Sequence, residues 1–450
     1  MRPPSTDARR TAYDVLHEIG ASDAYAHIVL PQILKAADLD QRDAAFATDM
    51  VNGSLRMRGL LDAVIAHCSS RGLDTLDPRV LDILRLGAYQ LLFTRTDAYA
   101  AVNTSVDLVQ SVVGDAPKGL VNAILRKISQ KTQGQWVQIV TKSLGDDPDA
   151  ALAIRYSHPR WMVCALRDSL GKDRADEIEQ LLDTDNKPPR VTLAARPGRS
   201  TVEELVDLGG TPGRWSPYAV IAPAGRVGQI EAVRRGRAGV QDEGSQLVAV
   251  ALANVPLEGT DERWLDLCAG PGGKLALLAA LAAERGAAVT GIELHAHRAT
   301  LVSKTVGEAP GFDGVIVGDA RVPQVQPGVD RVLLDAPCTG LGVLRRRPEM
   351  RWRRQPSDIP PLTKLQAELL NAAIDAVRPG GVVGYATCSP HIAETDLIIQ
   401  TAVRKRDDIA VEDARPLFPG VTDLGDGPFV RLWPHVHDTD GMFFALIRKL

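Results

Sequence analysis

Trp264-Leu-Asp-Leu267 runs directly into Cys268-Ala-Gly-Pro-Gly-Gly-Lys274, and the apolar stretch Leu275–Ala283 follows. This order predicts a short buried strand, a glycine-rich turn and a helix. Because glycine has no side chain, the turn allows a ligand to approach the backbone closely, and the start of the helix behind it favours negative charge. The stretch therefore predicts the first strand, loop and helix of a ligand-binding α/β sheet.

From about Gly239 to the end of the chain, short apolar strands alternate with helical segments such as Leu365–Val377. This alternation is typical of a parallel sheet that is covered by helices on both faces. In such sheets, ligands bind outside the carboxyl ends of the strands. Beyond the first strand, the predicted strands are Val289–Ile292, Gly314–Val317, Arg331–Leu334, Val382–Ala386 and Phe443–Ile447.

The residues at these strand ends indicate which ligand the sheet binds. A P-loop requires glycine at 268 and serine or threonine at 275, and a dinucleotide fingerprint requires glycine at 275, but the chain has Cys268 and Leu275. Acidic residues follow the next three strands: Glu293, placed to accept hydrogen bonds from a ribose, then Asp319 and Asp335. A ligand with a nucleoside but no pyrophosphate fits, and we expect S-adenosylmethionine. The alternative, a loop that only turns a strand into a helix, does not explain the acids.

Two cysteines follow adjacent predicted strands, Cys338 in Asp335-Ala-Pro-Cys338 and Cys388 in Ala386-Thr-Cys-Ser-Pro390. A buried cysteine usually packs as a small hydrophobe, but two at successive strand ends would aim both thiols into one crevice. Carbon 5 of a pyrimidine can attack a sulfonium methyl once a thiolate has added to carbon 6. A carboxyl group can then stabilise the ring at N3, and a base must remove the proton on carbon 5. Methylation of an amino group needs no thiol, so the cysteines favour carbon 5 chemistry.

The composition excludes several other classes of protein. The chain has 450 residues, 45% of them hydrophobic and 24% charged, with a net charge of −4. The longest apolar run, Leu275–Ala283, is far shorter than the roughly 20 residues of a membrane span, and MRPPSTDARR at the start lacks the apolar core of a secretion signal. We therefore expect a cytoplasmic protein. The five cysteines contain no Cys-x-x-Cys pair and the histidines show no ligand spacing, so we expect neither disulfides nor a metal.

The first part of the chain has a different pattern. Residues 6 to about 130 predict helices only, with Thr6-Asp7 capping the first, and Lys131–Asp149 is polar and predicts a linker. A mixed α/β stretch follows, with a strand at Val191–Ala194. The predicted helices in the first part include Arg79–Leu92 and Val102–Val113.

Three motifs at the predicted crevice resemble the signature motifs of RNA 5-methylcytosine methyltransferases: Cys268–Lys274, Asp335–Cys338 and Thr387-Cys-Ser389. Asn186-Lys-Pro-Pro189 and Val240–Leu247 resemble segments that precede that family's catalytic domain. Leu84–Leu92 and Val121–Arg126 resemble the helical fold of the antitermination factor NusB. Together they resemble the RsmB/Sun-type family, which modifies a cytosine of 16S ribosomal RNA.

The resemblance implies a multidomain chain. It implies an all-α NusB-like RNA-binding domain at 1–135, a small α+β domain at 145–237 and a Rossmann-like class I methyltransferase α/β domain at 238–450. It also implies that Cys388 is the nucleophile that adds to carbon 6, that Cys338 assists product release, and that Glu394 is the carboxylate expected shortly after the nucleophile. The residues that the resemblance implies as cofactor contacts are Cys268, Ala269, Gly270, Pro271, Gly272, Gly273, Lys274, Glu293, Asp319 and Asp335.

A basic segment begins seven residues after Cys338 and predicts an RNA contact. Guanidinium groups pair with phosphates, and an aromatic ring can stack on a base. A solvated surface loop is the alternative, and the short distance along the chain from Cys338 favours RNA. Because the thiol must reach a ring atom, we expect an unpaired or flipped cytosine. The predicted RNA-binding residues are Arg345, Arg346, Arg347, Arg351, Trp352, Arg353 and Arg354.

These observations predict a monomeric enzyme that methylates carbon 5 of a specific cytosine in 16S ribosomal RNA through a covalent cysteine adduct. Three alternatives remain. The same chemistry could act on transfer RNA. The chain could instead be a non-catalytic NusB-like RNA-binding or ribosome-assembly factor, although the retained cysteines and carboxylates count against that. A dehydrogenase is opposed by Leu275 and by the thiols.

Overall fold

The computed structural model describes residues 8–22, 24–223, 225 and 227–450, so the predicted cap Thr6-Asp7 lies outside the described residues. The chain divides into two compact units. The first consists of Met1–Lys187 and Leu344–Arg354, and the second consists of Pro188–Val343 and Gln355–Leu450. The first unit is therefore discontinuous in sequence.

The helices have the following bounds. In chain order they are α1 (Ala8–Ser22), α2 (Ala26–Ala37), α3 (Gln41–Arg56), α4 (Arg58–Cys68), α5 (Pro78–Phe93), α6 (Ala98–Val112), α7 (Lys118–Ile128), α8 (Gln133–Thr141), α9 (Pro148–Arg155), α10 (Arg160–Leu170), α11 (Ile178–Asp185), α12 (Val202–Asp207), α13 (Glu231–Arg234), α14 (Glu243–Ala253), α15 (Gly273–Ala283), α16 (Ala296–Val306), α17 (Met350–Arg353), α18 (Ile359–Ala376), α19 (Asp396–Lys405) and α20 (Pro434–His437).

The first unit is a helical bundle made of α1 to α11 and α17. Its helices begin where the sequence supplies caps: Asp77 accepts a hydrogen bond from the backbone of Arg79, and Pro78 occupies the first turn of α5. The apolar faces of α1 to α8 meet in one core, against which Ile154 of α9 also packs. The predicted linker at 131–149 is wrong in part, because Thr132 and Gln135 form a reciprocal capping box that starts α8.

All described strands lie in the second unit. In chain order they are β1 (Thr192–Ala195), β2 (Thr211–Pro212), β3 (Ala219–Ile221), β4 (Ala238–Val240), β5 (Arg263–Asp266), β6 (Ala288–Glu293), β7 (Phe312–Val317), β8 (Val329–Asp335), β9 (Val377–Thr387), β10 (Ile409–Glu412), β11 (Val430–Leu432) and β12 (Met442–Lys449).

These strands form two sheets. The small sheet is antiparallel, with the order β2-β3-β1-β4, and the large one has the order β10-β12-β9-β8-β5-β6-β7, with β11 paired to β12. Strands β5 to β9 pair in parallel, whereas β12 runs antiparallel to β9. Because β5 lies between β6 and β8, the chain leaves β5 in one direction and later returns on its other side. The carboxyl ends of β5 and β8 therefore border the switch point at which such sheets bind ligands.

Helices cover both faces of the large sheet. One apolar cluster contains α14 and α15, and a second contains α18 and α19. The predicted fold class is confirmed: a helical N-terminal region, a small α+β part and a parallel α/β sheet. The predicted domain boundaries differ from the bounds of the two units. The boundary at 145 falls inside the helical unit, which also contains α9 to α11. The boundary at 237 falls just before β4, which completes the small sheet.

Candidate functional site

The glycine-rich loop after β5 forms the floor of a crevice at the switch point. Gly272 has φ 108°, which favours glycine, and it immediately precedes α15. At Gly270 the space is already filled from the neighbouring strand, since an added Cβ would lie 2.2 Å from Glu293 Oε2. Because Gly270 has no side chain, the loop backbone can lie against the carboxylate of Glu293.

Asp266, the last residue of β5, lies beneath this loop. It is buried, with 1% of its surface exposed, and its Oδ1 accepts a hydrogen bond of 3.2 Å from the backbone of Cys268. Burial, and then the nearby charge of Asp335, raise its pKa from 3.8 to about 7. Burial and the neighbouring acid Asp266 likewise raise the pKa of the Cys268 thiol. Asp266 and the Cys268 thiol therefore both hold their protons more firmly than they would in water.

The predicted acidic residues follow successive strands of the sheet, as expected. Glu293 ends β6, is buried, and lies 3.4 Å from the guanidinium of Arg298, a neighbour that the sequence did not single out. Asp319 follows β7 and is half-buried, and its hydrogen bonds from Arg321 lower its pKa. The side-chain oxygens of both residues are suited to accept hydrogen bonds from hydroxyl and amino groups.

Asp335, which ends β8, forms a 2.8 Å ion pair with Lys274. Burial is the largest influence and opposes the charge on Lys274, but Asp335, Cys388 and Asp266 together outweigh it and raise the pKa of the lysine. Lys274 therefore stays protonated and fixes the position of the Asp335 carboxylate.

The structure brings together the two cysteines that the strand pattern paired. Cys338 follows β8, Cys388 follows β9, and their sulfur atoms are 3.4 Å apart. Both side chains are half-buried. The hydrogen bond with Cys388, followed by burial, raises the pKa of Cys338. The two thiols, Asp335 and Lys274 thus occupy one edge of the large sheet.

A group of buried polar side chains lies around the two cysteine loops. The sequence motifs included Glu394 and Ser389 but gave no sign of Thr339 and Gln366. Thr339 directly follows a cysteine, as Ser389 does, and this position is the signal that could have pointed to it.

The basic segment Leu344–Arg354 belongs to the helical unit. Arg351 has no exposed surface, and its guanidinium donates to the carbonyl oxygens of Arg56, Ser157 and Asp185 and to Asn186 Oδ1. Burial lowers its pKa to about 10, which leaves it charged at neutral pH. Arg351 thus ties three separate parts of the helical unit together.

The neighbours of Arg351 also make contacts inside the helical unit. Arg353 donates to the carbonyl oxygens of Ile19 and Ala24. Arg347 and Arg353 both lie over the ring of Tyr25, at 5.5 and 5.3 Å. The ring of Trp352 packs on the backbone at Gly59, where an added Cβ would lie 2.6 Å away.

The burial of Arg351, and of Arg345, which is only 2% exposed, counts against the RNA-binding prediction for these two residues. A guanidinium that water cannot reach cannot pair with a phosphate. Trp352 and Arg353 already have partners in the helical unit. For the half-buried Arg346, Arg347 and Arg354, contact with RNA stays a prediction.

The crevice fits S-adenosylmethionine on the observations above. Because Gly270 has no side chain, its backbone lies next to Glu293, whose carboxyl oxygens can accept hydrogen bonds from ribose hydroxyls. Asp319 and Asp335 add further acceptors at the ends of the neighbouring strands. In the ranges that the structure describes, no three metal-binding side chains cluster as a metal site would require. None of the described helices is both long and apolar enough to span a bilayer.

Two family models match the chain. One, described as 16S rRNA methyltransferase RsmB/F, matches residues 254–448, and the other, the NusB family, matches residues 6–130. These ranges contain the crevice and most of the helical unit.

The chain also matches relatives over nearly its whole length. A Mycobacterium tuberculosis protein, whose name goes no further than methyltransferase, is 50% identical over 100% of this chain and 98% of its own. Ribosomal RNA small subunit methyltransferase B of Salmonella paratyphi C is 31% identical over 94% of both chains. The crystal structure of PH0851 has the same fold, with a TM-score of 0.81 and 24% identity over 100% of both chains.

Proposed function

Since the chain belongs to the RsmB/F family of methyltransferases, which use S-adenosyl-L-methionine, we propose that it methylates carbon 5 of a cytosine in 16S ribosomal RNA. The RNA substrate is supported by the names of the full-length relatives and by the NusB-family region. The choice of carbon 5 is supported by the cysteines of the crevice.

The observation that carries the proposal is the 3.4 Å distance between the sulfur atoms of Cys338 and Cys388. Transfer to an amino group or a hydroxyl needs no thiol, because those atoms already carry a lone pair. Carbon 5 of cytosine carries none, and it gains nucleophilic character only when another group adds to carbon 6. Two thiols beside Asp335 and next to the cofactor loop support this addition.

In the proposed reaction, the Cys388 thiolate forms a bond to carbon 6, and the electron pair of the carbon 5–carbon 6 double bond moves toward carbon 5. N3 of the altered ring takes up a proton from solvent, and the Asp335 carboxylate, fixed by Lys274, accepts a hydrogen bond from that N–H. N3 gives the proton up again when the sulfur leaves. Bound S-adenosylmethionine supplies an electrophilic methyl group. Loss of the carbon 5 proton to a base then restores the double bond and expels the Cys388 sulfur, and Cys338 assists this release. Glu293, Asp319 and residues 268–274 would hold the cofactor.

The proposal is tested with 16S ribosomal RNA that carries tritium at carbon 5 of its cytosines. Methylation at carbon 5 must replace the tritium, so the purified enzyme and S-adenosylmethionine should release tritium to water in step with methyl incorporation. Methyl incorporation without tritium release would show reaction at another atom and would overturn the proposed chemistry.

Bisulfite sequencing of ribosomal RNA from cells that lack the protein locates the modified residue. One cytosine of 16S ribosomal RNA should lose its protection. If that RNA is unchanged and a transfer RNA loses protection instead, the proposed substrate is wrong and the transfer RNA alternative holds.

A further inference from the structure

The loops that carry the two cysteines are joined by a buried carboxylate. Glu394 has no exposed surface and lies in a short helical turn six residues after Cys388. Its Oε1 accepts a 2.8 Å hydrogen bond from the backbone N–H of Thr339, the residue after Cys338. Its Oε2 accepts from the hydroxyl of the same threonine. The carboxylate therefore binds the Cys338 loop through two bonds to a single residue.

The direction of the next bond follows from the number of protons. A threonine hydroxyl has one hydrogen, which Thr339 gives to Glu394. The Oγ of Ser389, 3.0 Å from Thr339 Oγ1, must then be the donor of that pair. Ser389 follows Cys388 and Thr339 follows Cys338, so the bonded series Ser389–Thr339–Glu394 joins the Cys388 loop to the Cys338 loop and then returns to the turn after Cys388. Both hydroxyls are fully buried, so water does not compete for these bonds.

Further bonds hold the carboxylate itself in place. Gln366, on α18, donates to Glu394 Oε1 at 3.1 Å and to the carbonyl of Pro337, beside Cys338, at 2.8 Å. Tyr385, on β9, donates its hydroxyl to the backbone carbonyl of Glu394 at 2.7 Å. The backbone of Glu394 is thus anchored by the strand that leads to Cys388, and its carboxylate by a helix that also contacts the Cys338 loop.

We propose that Glu394 is a positioning residue that sets the separation and orientation of the Cys338 and Cys388 thiols by clamping their loops through Thr339 and Ser389. This inference rests on the proposed function for its meaning, because both thiols must reach the same base. Glu394 does not touch the reacting atoms. It holds each thiol in the orientation in which it reacts, so that no search among other orientations has to precede the reaction.

Oxidation by diamide measures the clamp without any RNA. Diamide takes two hydrogens from a pair of thiols and joins their sulfur atoms, at a rate that depends on the thiolate fraction of the attacking cysteine and on how often the two sulfur atoms meet. In the wild-type full-length protein we expect rapid formation of a Cys338–Cys388 disulfide, detected as joined peptides by mass spectrometry. Glu394→Gln removes the charge and forces one amide donor toward the Thr339 hydroxyl, so the disulfide should form at least about tenfold more slowly.

Two threonine variants test the same clamp with less disturbance. Thr339→Val keeps the shape but removes the hydroxyl, and it should slow the disulfide as well. Thr339→Ser keeps the hydroxyl and should restore a rate close to that of the wild type. Glu243→Gln is the matched control, since Glu243 is another buried glutamate of the same unit that accepts backbone hydrogen bonds, from Trp215 and Ser216, away from the cysteine loops.

The methylation assay provides the second readout. Glu394→Gln and Thr339→Val should lower kcat by about 10- to 100-fold and leave the KM for S-adenosylmethionine unchanged, whereas a general loss of folded protein would leave the kcat of the remaining enzyme unchanged. If Glu394→Gln does not fold, Thr339→Val decides the question. Disulfide rates in Glu394→Gln and Thr339→Val that equal or exceed the wild-type rate would overturn the clamp. A wild-type enzyme that releases no tritium would overturn the proposed function, and the diamide rates would still judge the clamp.

Discussion

At the scale of single residues, Asp266 shows how the crevice affects stability. Its carboxyl group is buried, and its pKa is raised from 3.8 to about 7. Between these two values, the folded protein keeps a proton that the unfolded chain has already released. Stability contributed by this group therefore falls as the pH rises through that interval.

Asp266→Asn should remove this dependence, because an amide does not ionise and its oxygen can still accept from Cys268. The free energy of unfolding of the variant, relative to that of the wild type, should increase as the pH rises from 5 to 8, by about 3 kcal/mol for a shift of this size. Urea unfolding of the cofactor-free protein at several pH values measures the difference. A difference that stays constant with pH would show that Asp266 ionises normally.

Cys388→Ala should abolish methylation of carbon 5, because the addition to carbon 6 has no nucleophile. S-adenosylmethionine should still bind with wild-type affinity, since the predicted cofactor residues are untouched. Calorimetric titration of the cofactor and the tritium-release assay measure the two properties. Normal turnover by this variant would end the assignment of the nucleophile.

Cys338→Ala should have a different effect, because addition remains possible while release is slowed. The variant should accumulate a covalent protein–RNA adduct that survives a denaturing gel when both RNA and cofactor are present. The double variant with Cys388→Ala is the control and should show no adduct. If the single variant gives no shifted band either, Cys338 is not the release group.

At the scale of elements, the segment Leu344–Arg354 acts as a structural part of the helical unit. Arg351→Met should reduce the stability of this unit by about 2–4 kcal/mol, because it leaves buried carbonyl groups without a donor. Arg10→Met is the matched control, since Arg10 forms an exposed ion pair with Asp14 on α1 that contributes little. Urea unfolding followed by circular dichroism compares the two variants. Equal effects would contradict a structural role for Arg351.

The two cysteine loops and the segment Leu344–Arg354 show what the sequence could and could not predict. The position of Cys338 beside Cys388 was predictable, because parallel strands with short apolar patterns place their carboxyl ends at one edge. The burial of Arg351 was not, because a run of arginines is usually a solvated surface. Its partners, Arg56, Ser157 and Asp185, come from distant parts of the chain, and no local pattern records that they meet.

At the scale of the whole molecule, the match to the RsmB/F family confirms the resemblance inferred from the motifs, and the division of the chain adds what the motifs did not contain. The predicted domains were continuous segments, read from changes in composition. Changes in composition cannot reveal that the eleven residues Leu344–Arg354 belong to the first unit, because these residues lie inside the sequence range of the second unit.

A fragment spanning residues 1–187 should therefore be an incomplete folding unit. Adding a synthetic peptide with the sequence of residues 344–354 should raise the Tm of the fragment in proportion to the logarithm of peptide concentration, because binding to the folded state stabilises it. The same peptide with Arg351→Met should raise it much less. Thermal unfolding followed by circular dichroism measures both, and equal effects of the two peptides would exclude specific insertion.

The discontinuity also sets an order of events on the ribosome. Domains usually fold in the sequence in which they are synthesised, the N-terminal one first. Here the bundle emerges early, yet the guanidinium that closes it, Arg351, leaves the exit tunnel only after Pro188–Val343 has been made. The helices of the first unit therefore reach their final structure only after the glycine-rich loop, strands β1 to β8 and Cys338 have been translated. A truncated message would therefore yield a helical part that never reaches its final stability.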